Sequence, residues 1–307
     1  METDPLRARL KHCTLCPREC GVDRTAGKTG FCGLPDAAIV DCAVPHLGEE
    51  PPLSGRFGSG TIFFTSCNLR CIFCQNFQIS HTLQGQVVSA AELAGTMVDL
   101  QDEGCHNINA VTPTPHVPFL LEALRLARSR GLTIPLVYNC SGYESLDVIR
   151  LLAGEVDLYL PDFKFGHDET ARMCCGVEDY THHALNTLEA MALQVGEDLE
   201  MDPEGEIATR GLLVRHLVLP GMVDNSLAAL GLIRARLSEK VTLSLMSQYT
   251  PIPTVRCHPL LGRRVTRREY ETVVEHALSL GFDNLFIQEV SDRHLTPDFG
   301  KDVPFDW

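Results

Sequence analysis

Apolar positions along this chain fall into two alternating rhythms. Between Ser89 and Gly104, Leu93, Met97 and Leu100 recur at helical spacing and mark one apolar face. Ser89 followed by Glu92 is a capping box at the start of that run, and Gly104 stops it. The stretch "NINAVT" (107–112) then predicts a strand. "VPFLLEALRLARSRG" predicts an amphipathic helix ending at Gly131, followed by the strand "IPLVYN" (134–139). Residues 143–153 predict a helix before Gly154, and "DLYLPDF" (157–163) a strand. Asn225 is expected to cap a helix reaching 238, ahead of "VTLSLMS" (241–247). Thr266 with Glu269 forms a second capping box, Gly281 ends that helix, and "NLFIQE" follows. "TIFFTS" (61–66) opens the series and "LLVRHLVLP" (212–220) is the other long strand.

Helix, glycine and apolar strand in repeated succession predict βα units on a parallel sheet, with seven candidate strands. Eight would close a barrel; fewer predict a partial barrel or an open doubly wound sheet. The strand ends favour a barrel. Cys67, Thr112, Asn139, Asp162 with Lys164, Ser247 with Gln248, and Gln288 with Glu289 each stand where a strand finishes. In parallel β/α folds the site lies at those carboxyl ends. Residues 168–210 break the rhythm, with helical pieces and then a hairpin around Asp202-Pro203-Glu204-Gly205. The first 60 residues show little periodicity, and "GEEPPLSGRFGSG" (48–60) reads as an exposed connection. Two units are expected: a Cys-rich N-terminal module over 1–55 and a larger domain over 56–307.

The 307 residues are 44% apolar and 21% charged, as in globular chains. A net charge of −14 argues against a duplex nucleic-acid binder, which presents a basic face. No apolar run approaches a membrane span, and "METDPLRARLKHC" has no apolar core for a signal peptide, so a cytoplasmic location without membrane attachment is expected. Thirteen cysteines, an odd number in a reducing compartment, point to metal ligation or plain burial rather than a disulfide framework.

Three of them, Cys67, Cys71 and Cys74, stand in "SCNLRCIFCQN" at the end of the first parallel strand. The spacing CxxxCxxC can wrap one iron–sulfur cluster and leave one iron open, as a reaction site requires; zinc with a fourth ligand from elsewhere, or reduced buried thiols, are the other readings. At the front, Cys13, Cys16, Cys20 and Cys32 have the spacing CxxCxxxC followed by eleven residues and a fourth Cys. Four thiolates would close a site with no open position, holding zinc or an auxiliary iron–sulfur cluster. Gly21, Gly27, Gly30, Gly33 and Pro17 let that loop turn tightly. Arg215 and His216 lie inside an otherwise apolar strand, where a charge must be paired or face a ligand.

"CNLRCIFCQN" resembles the signature loop of the radical S-adenosylmethionine superfamily. With "CPRECGVDRTAGKTGFCG", "LGEEPPLSG", "HNINAVTPTPH", "PDFKFG", "RHLVLPG" and "MSQYTP", nearly the whole chain resembles its pyruvate formate-lyase-activating-enzyme-like (PflX-type) branch. The resemblance implies an α/β fold, a partial (β/α)6 TIM-like barrel with the small N-terminal Cys-rich module. It also implies a 4Fe–4S cluster on Cys67, Cys71 and Cys74, with S-adenosylmethionine chelating the open iron. Reductive cleavage would release a 5′-deoxyadenosyl radical that abstracts a hydrogen atom.

Phe73 would meet the adenine. The family's carboxylate after the second parallel strand is missing from "VTPTP", so Thr112 and Thr114 or main-chain carbonyls would hold the methionine amine. Asn139 and Ser141 would stand near the cofactor. Asp162 and Lys164 match an Asp-x-Lys pair and, with Arg215 on the cofactor carboxylate, form the expected catalytic set; Gln248 is the remaining cofactor contact. The implied partners are a flavodoxin or ferredoxin reductant and a protein substrate, with glycyl-radical activation of another enzyme as one version. Modification of a different protein, an RNA or a small molecule is another. A metal-stapled binding protein and a two-cluster redox carrier are the alternatives outside the family.

Overall fold

The sequence rhythms become a single curved sheet in a computed structural model, which describes residues 4–291, 296–301, 304 and 305. Seven parallel strands run side by side in chain order: β2 (Ser59–Phe64), β4 (Ile108–Val111), β5 (Leu136–Cys140), β6 (Leu158–Pro161), β8 (Ala208–Leu217), β9 (Thr242–Met246) and β10 (Leu285–Ile287). They correspond one for one to the seven strands expected, one more than the six of the implied core. Two strands extend the β2 edge in the opposite sense: β1 (Ala38–His46) pairs with β2, and β3 (Gln86–Val88) pairs with β1. β7 (Leu199–Met201) forms the expected hairpin with β8. Neither β1 nor β3 was legible as a strand, because the first is broken by Asp41 and Pro45 and the second is three residues long.

Helices fill the crossovers: α1 (Ala90–Asp102), α2 (Val117–Ser129), α3 (Leu146–Leu151), α4 (Asp168–Cys175), α5 (Tyr180–Val195), α6 (Val223–Arg236) and α7 (Arg267–Ser279). Both capping boxes form as the sequence predicts, Ser89 with Glu92 on α1 and Thr266 with Glu269 on α7. Asn225 does not cap α6. Its Oδ1 instead accepts the N–H groups of Gly166 and His167 at 2.9 and 3.4 Å, tying α6 to the loop after β6. No helix among the described residues is long and apolar enough to cross a membrane.

One face of the sheet packs against the helices in a large apolar core. On the other face the period-2 alternation of each strand sets residues in layers. The lower part of that face is apolar: Leu53, Val137, Leu158, Leu160, Ala208 and Leu213 pack together. Leu53 reaches it from a one-turn helix, Pro51–Ser54, whose Pro52, Leu53 and Ser54 are buried. Residues 49–54 of the stretch read as an exposed connection are therefore the floor of the barrel, while 55–57 are exposed as expected. The prolines and glycines of the stretch give the chain a tight reversal, with Gly55 at φ +46°; Leu53 is buried and Glu49 and Glu50 line the cleft, while Phe57 stays exposed. Asn107 fastens this floor by donating to the Leu53 carbonyl at 2.8 Å.

The loop after β6 has almost no room. A Cβ placed on Gly166 would lie 2.2 Å from the Ala229 nitrogen and 2.5 Å from the Asn225 carbonyl oxygen. Gly166→Ala is expected to push α6 off that loop and destabilise the protein by about 1–3 kcal/mol. Urea unfolding followed by circular dichroism measures this; an unchanged midpoint would show that α6 moves freely.

Candidate metal and cofactor site

The strand ends meet the floor around one cleft of about 590 Å³. Cys67, Cys71 and Cys74 line it, with Phe73, Thr112, Asn139, Ser141, Asp162, Lys164, Arg215 and Gln248. The structure thus brings together every expected site residue of the larger domain but one. Thr114 is buried and points away, its hydroxyl donating to Glu144 Oε1 at 2.7 Å, so it does not reach the cleft. Cys140 also lines the wall.

The cysteine loop is held from several sides. Leu69 N–H donates to Cys67 Sγ at 3.3 Å and the Ser80 hydroxyl to Cys74 Sγ at 3.2 Å. The Ile72 N–H bonds the Cys174 carbonyl at 2.9 Å, which anchors the loop on α4. His116 stacks on Phe64 at 4.8 Å and its Nε2 meets the Thr65 carbonyl at 2.8 Å. Burial keeps that imidazole neutral, with its pKa pushed down to about 3. Phe73 sits edge-on to Phe165 and Tyr249 at 6.2 and 6.3 Å, so the same ring is both core and cleft wall.

Left-handed backbone marks the same region. Four non-glycine residues with positive φ occur among the described residues: Glu19, Ser66, Arg70 and Thr112. Ser66 and Arg70 bracket Cys67, Thr112 ends β4 in the cleft, and Glu19 lies between Cys16 and Cys20. Such conformations cost about 1–3 kcal/mol each and gather where side chains must be aimed.

Arg215 is the hub of the charged wall. Its Nε donates to Asp162 Oδ1 at 2.7 Å, its Nη1 to Glu49 Oε2 at 3.0 Å and its Nη2 to Asn139 Oδ1 at 2.6 Å. Asn109 Nδ2 holds the other Glu49 oxygen at 3.0 Å, and Lys164 Nζ pairs with Asp162 Oδ2. The guanidinium is thus spent on the protein's own carboxylates, which leaves it little capacity for the cofactor carboxylate assigned to it from sequence. Burial pushes the Asp162 carboxyl up, but Arg215 and Lys164 outweigh it and hold the pKa below the usual range. Burial likewise opposes the charge on Lys164, yet Asp162 and then Cys71 raise its pKa to about 12, so a fixed cation stands beside the cysteines.

Three contributors were not legible in the sequence. Glu49 and Glu50 were hidden in the supposed connection. Cys175, outside both cysteine motifs, lies against Cys71, and that contact, ahead of burial, pushes the Cys71 pKa well up. The one available signal was Asn109, a polar residue inside an apolar strand, just as Arg215 is.

The N-terminal cysteines line a second, small enclosed cavity together with Arg24 and Asn68. Cys20 Sγ accepts the Phe31 N–H at 3.3 Å. The Cys32 carbonyl accepts from the Ser66 hydroxyl at 2.6 Å and Arg70 Nη2 at 2.9 Å, and Arg18 Nε donates to the Asn68 carbonyl at 3.0 Å. The module therefore rests directly on the Cys67–Cys74 loop. Among the described residues no group of three or more His, Cys, Asp or Glu is set to hold a single metal ion.

The chain thus combines a parallel β/α sheet with a three-cysteine loop at the carboxyl end of its first parallel strand. Residues 61–193 match the family model described as the Radical SAM superfamily. Two solved structures share the fold: Streptococcus suis SuiB bound to S-adenosylmethionine (TM-score 0.50, 12% identity, 73% of this chain and 48% of that one) and methylornithine synthase PylB (TM-score 0.50, 14% identity, 72% and 61%). The chain spans less than two thirds of the length of each. It is also 29% identical over 286 residues to "Uncharacterized protein MJ0674" of Methanocaldococcus jannaschii, covering 90% of this chain and 77% of that protein. The family model covers less than half of this chain and the solved structures share its fold; the groups that this resemblance implies are a 4Fe–4S cluster and S-adenosylmethionine.

The residues present fit those groups. Burial pushes the Cys67 thiol up to about 12 and the Cys74 thiol upward, so as bare thiols they stay protonated; a metal supplies the charge that converts them to ligands. N–H and O–H donors already point at two of the sulfurs, and Ser141 Oγ faces the cleft with no hydrogen-bond partner, open to a bound molecule.

Arg215→Met leaves Glu49 and Asp162 buried without their shared cation and is expected to destabilise the protein by about 3–5 kcal/mol. Denaturant unfolding checks this. A loss below about 1 kcal/mol, as for exposed pairs, would mean that water in the cleft already screens the network.

Proposed function

We propose that the protein is a radical S-adenosylmethionine enzyme working in this cleft. The observation that carries the reading is the convergence of Cys67, Cys71 and Cys74 with the strand-end residues Asn139, Ser141, Asp162, Lys164 and Gln248 on one cavity. When bound, the cluster and S-adenosylmethionine supply one-electron cleavage of the sulfonium to methionine and a 5′-deoxyadenosyl radical for hydrogen-atom abstraction.

In this reading Cys67, Cys71 and Cys74 anchor the cluster, and Lys164 offsets their negative charge. Thr112, held in its unusual backbone conformation, and Ser141 offer polar contacts to the amino-acid end of the cofactor. Phe73 gives the nucleoside an apolar wall. Arg215 is a positioning residue: it fixes Asp162 and, through it, Lys164. Generation of a glycyl radical on a partner enzyme, fed by a flavodoxin or ferredoxin, is the finer proposal, supported by the motif resemblance alone. We further propose that Cys13, Cys16, Cys20 and Cys32 hold a second metal site, supported by their shared cavity and their hydrogen bonds to the first loop.

Anaerobic reconstitution with iron and sulfide, followed by dithionite and S-adenosylmethionine, is expected to yield 5′-deoxyadenosine and methionine. Cys71→Ala should abolish the products. Iron uptake without cleavage would indicate a redox carrier, and zinc retained with no iron uptake a metal-stapled scaffold. Cys16→Ala with Cys20→Ala should lower the metal content of the reconstituted protein while the 67/71/74 site still loads; unchanged metal content would remove the second site.

A further inference from the structure

The cleft continues below the cysteine loop to the barrel floor, where Glu49 and Glu50 line it side by side. Their situations differ. Both Glu49 oxygens are bonded, one to Arg215 and one to Asn109. Glu50 Oε2 is buried with no hydrogen-bond partner, and the Ser244 hydroxyl is its side-chain neighbour. The two cations of the wall are already committed, Lys164 to Asp162 and Arg215 to Asp162 and Glu49. Three carboxylates thus face two cations.

A buried carboxylate without a partner is unfavourable by several kcal/mol unless it is neutralised or paired. Burial pushes the Glu50 carboxyl above its usual range; Arg215 pulls against that rise and Glu49 adds to it. Simple packing would be served better there by an amide or an apolar side chain. The floor helix already supplies apolar Leu53 to the layer below, so an acid is not needed to close the barrel. What an acid adds is an acceptor for a donor that arrives with a ligand.

We propose that Glu50 receives a cationic nitrogen, an ammonium or guanidinium group, of a molecule bound in this cleft, with the Ser244 hydroxyl as second contact. This rests on the cleft being the reaction site proposed above, and it gives the substrate a chemical class. The same chemistry has two sources: a basic group on the substrate, or the amine of S-adenosylmethionine, for which the segment after β4 supplies no carboxylate.

The test uses the anaerobically reconstituted full chain and two probes of equal shape, n-butylguanidinium and neutral n-butylurea, with S-adenosylmethionine measured alongside by calorimetric titration. Wild type is expected to bind the guanidinium probe in preference to the urea. Glu50→Gln is expected to weaken a cation's binding by about tenfold or more, the equivalent of about 1.4 kcal/mol. If only the guanidinium probe weakens, the source is a substrate cation. If S-adenosylmethionine weakens as well and the probe competes with it, the source is the cofactor amine. Affinities for both that agree between variant and wild type within twofold overturn the proposal. Should Glu50→Gln fail to fold, Ser244→Ala reads the same contact, and its unchanged affinities would overturn the proposal equally. Formation of 5′-deoxyadenosine by the wild type, assayed in the same preparation, reports separately on the radical reading.

Discussion

A guanidinium on the inner face of β8 has to be answered from several directions at once, and the barrel is arranged to do so. Arg215 draws a carboxylate from the end of β6, a carboxylate from the floor and an amide from β5 onto its nitrogens. Each partner comes from a different part of the chain, 53, 166 and 76 residues away in sequence. The bonds have defined directions, unlike apolar contacts, so they fix the relative heights of β5, β6 and β8 and the depth to which the floor segment enters. Losing one partner strands a charge in a poorly solvated place, and that penalty makes the arrangement hard to alter piecemeal.

The cysteine loop depends on this network through Lys164. Asp162, gripped by Arg215, holds the lysine ammonium and keeps it charged, and the lysine in turn lies close to Cys71 and Cys74. A cluster on three thiolates carries negative charge, and a fixed cation is the means of tolerating it in a buried pocket. The chain of dependence runs from a strand-centre arginine, through an aspartate and a lysine, to the three cysteines of the loop. None of its members could be replaced by an apolar residue without exposing the next.

Much of this was legible in the residues, and the parts that were not share one cause. Seven strands and the main helices followed from apolar period and glycine punctuation, because the helices bury one face on the sheet and the parallel strands are largely buried throughout. The capping boxes at Ser89 and Thr266 are local and formed as written. Asn225 looked like another cap, but a tertiary donor, the Gly166 N–H, won its side chain. The floor was misread because Gly-Glu-Glu-Pro-Pro has the composition of a surface turn; nothing local reveals that a barrel interior waits to receive it. Arg215 was flagged by its strand, while its partner Glu49 lay 166 residues away with no periodicity to point to it. Thr114 differs from Thr112 by two positions and one turn of backbone, enough to send its hydroxyl to Glu144 instead of the cleft.

The placement of backbone strain supports the proposal that both cysteine loops serve ligation as well as packing. A residue such as Thr112, β-branched and left-handed, is tolerated only when its surroundings over-determine it. If the thiols merely filled space, ordinary extended or helical backbone would bury them at lower cost. Instead the chain accepts strain at Ser66 and Arg70 around one set and at Glu19 within the other, and joins the two loops through the Cys32 carbonyl. The joining bonds come from Ser66 and Arg70 themselves, the strained residues of the first loop. The conformation that aims Cys67 into the cleft is therefore stabilised by the module that carries the second set, and loosening the front of the chain would release the strain beside Cys67.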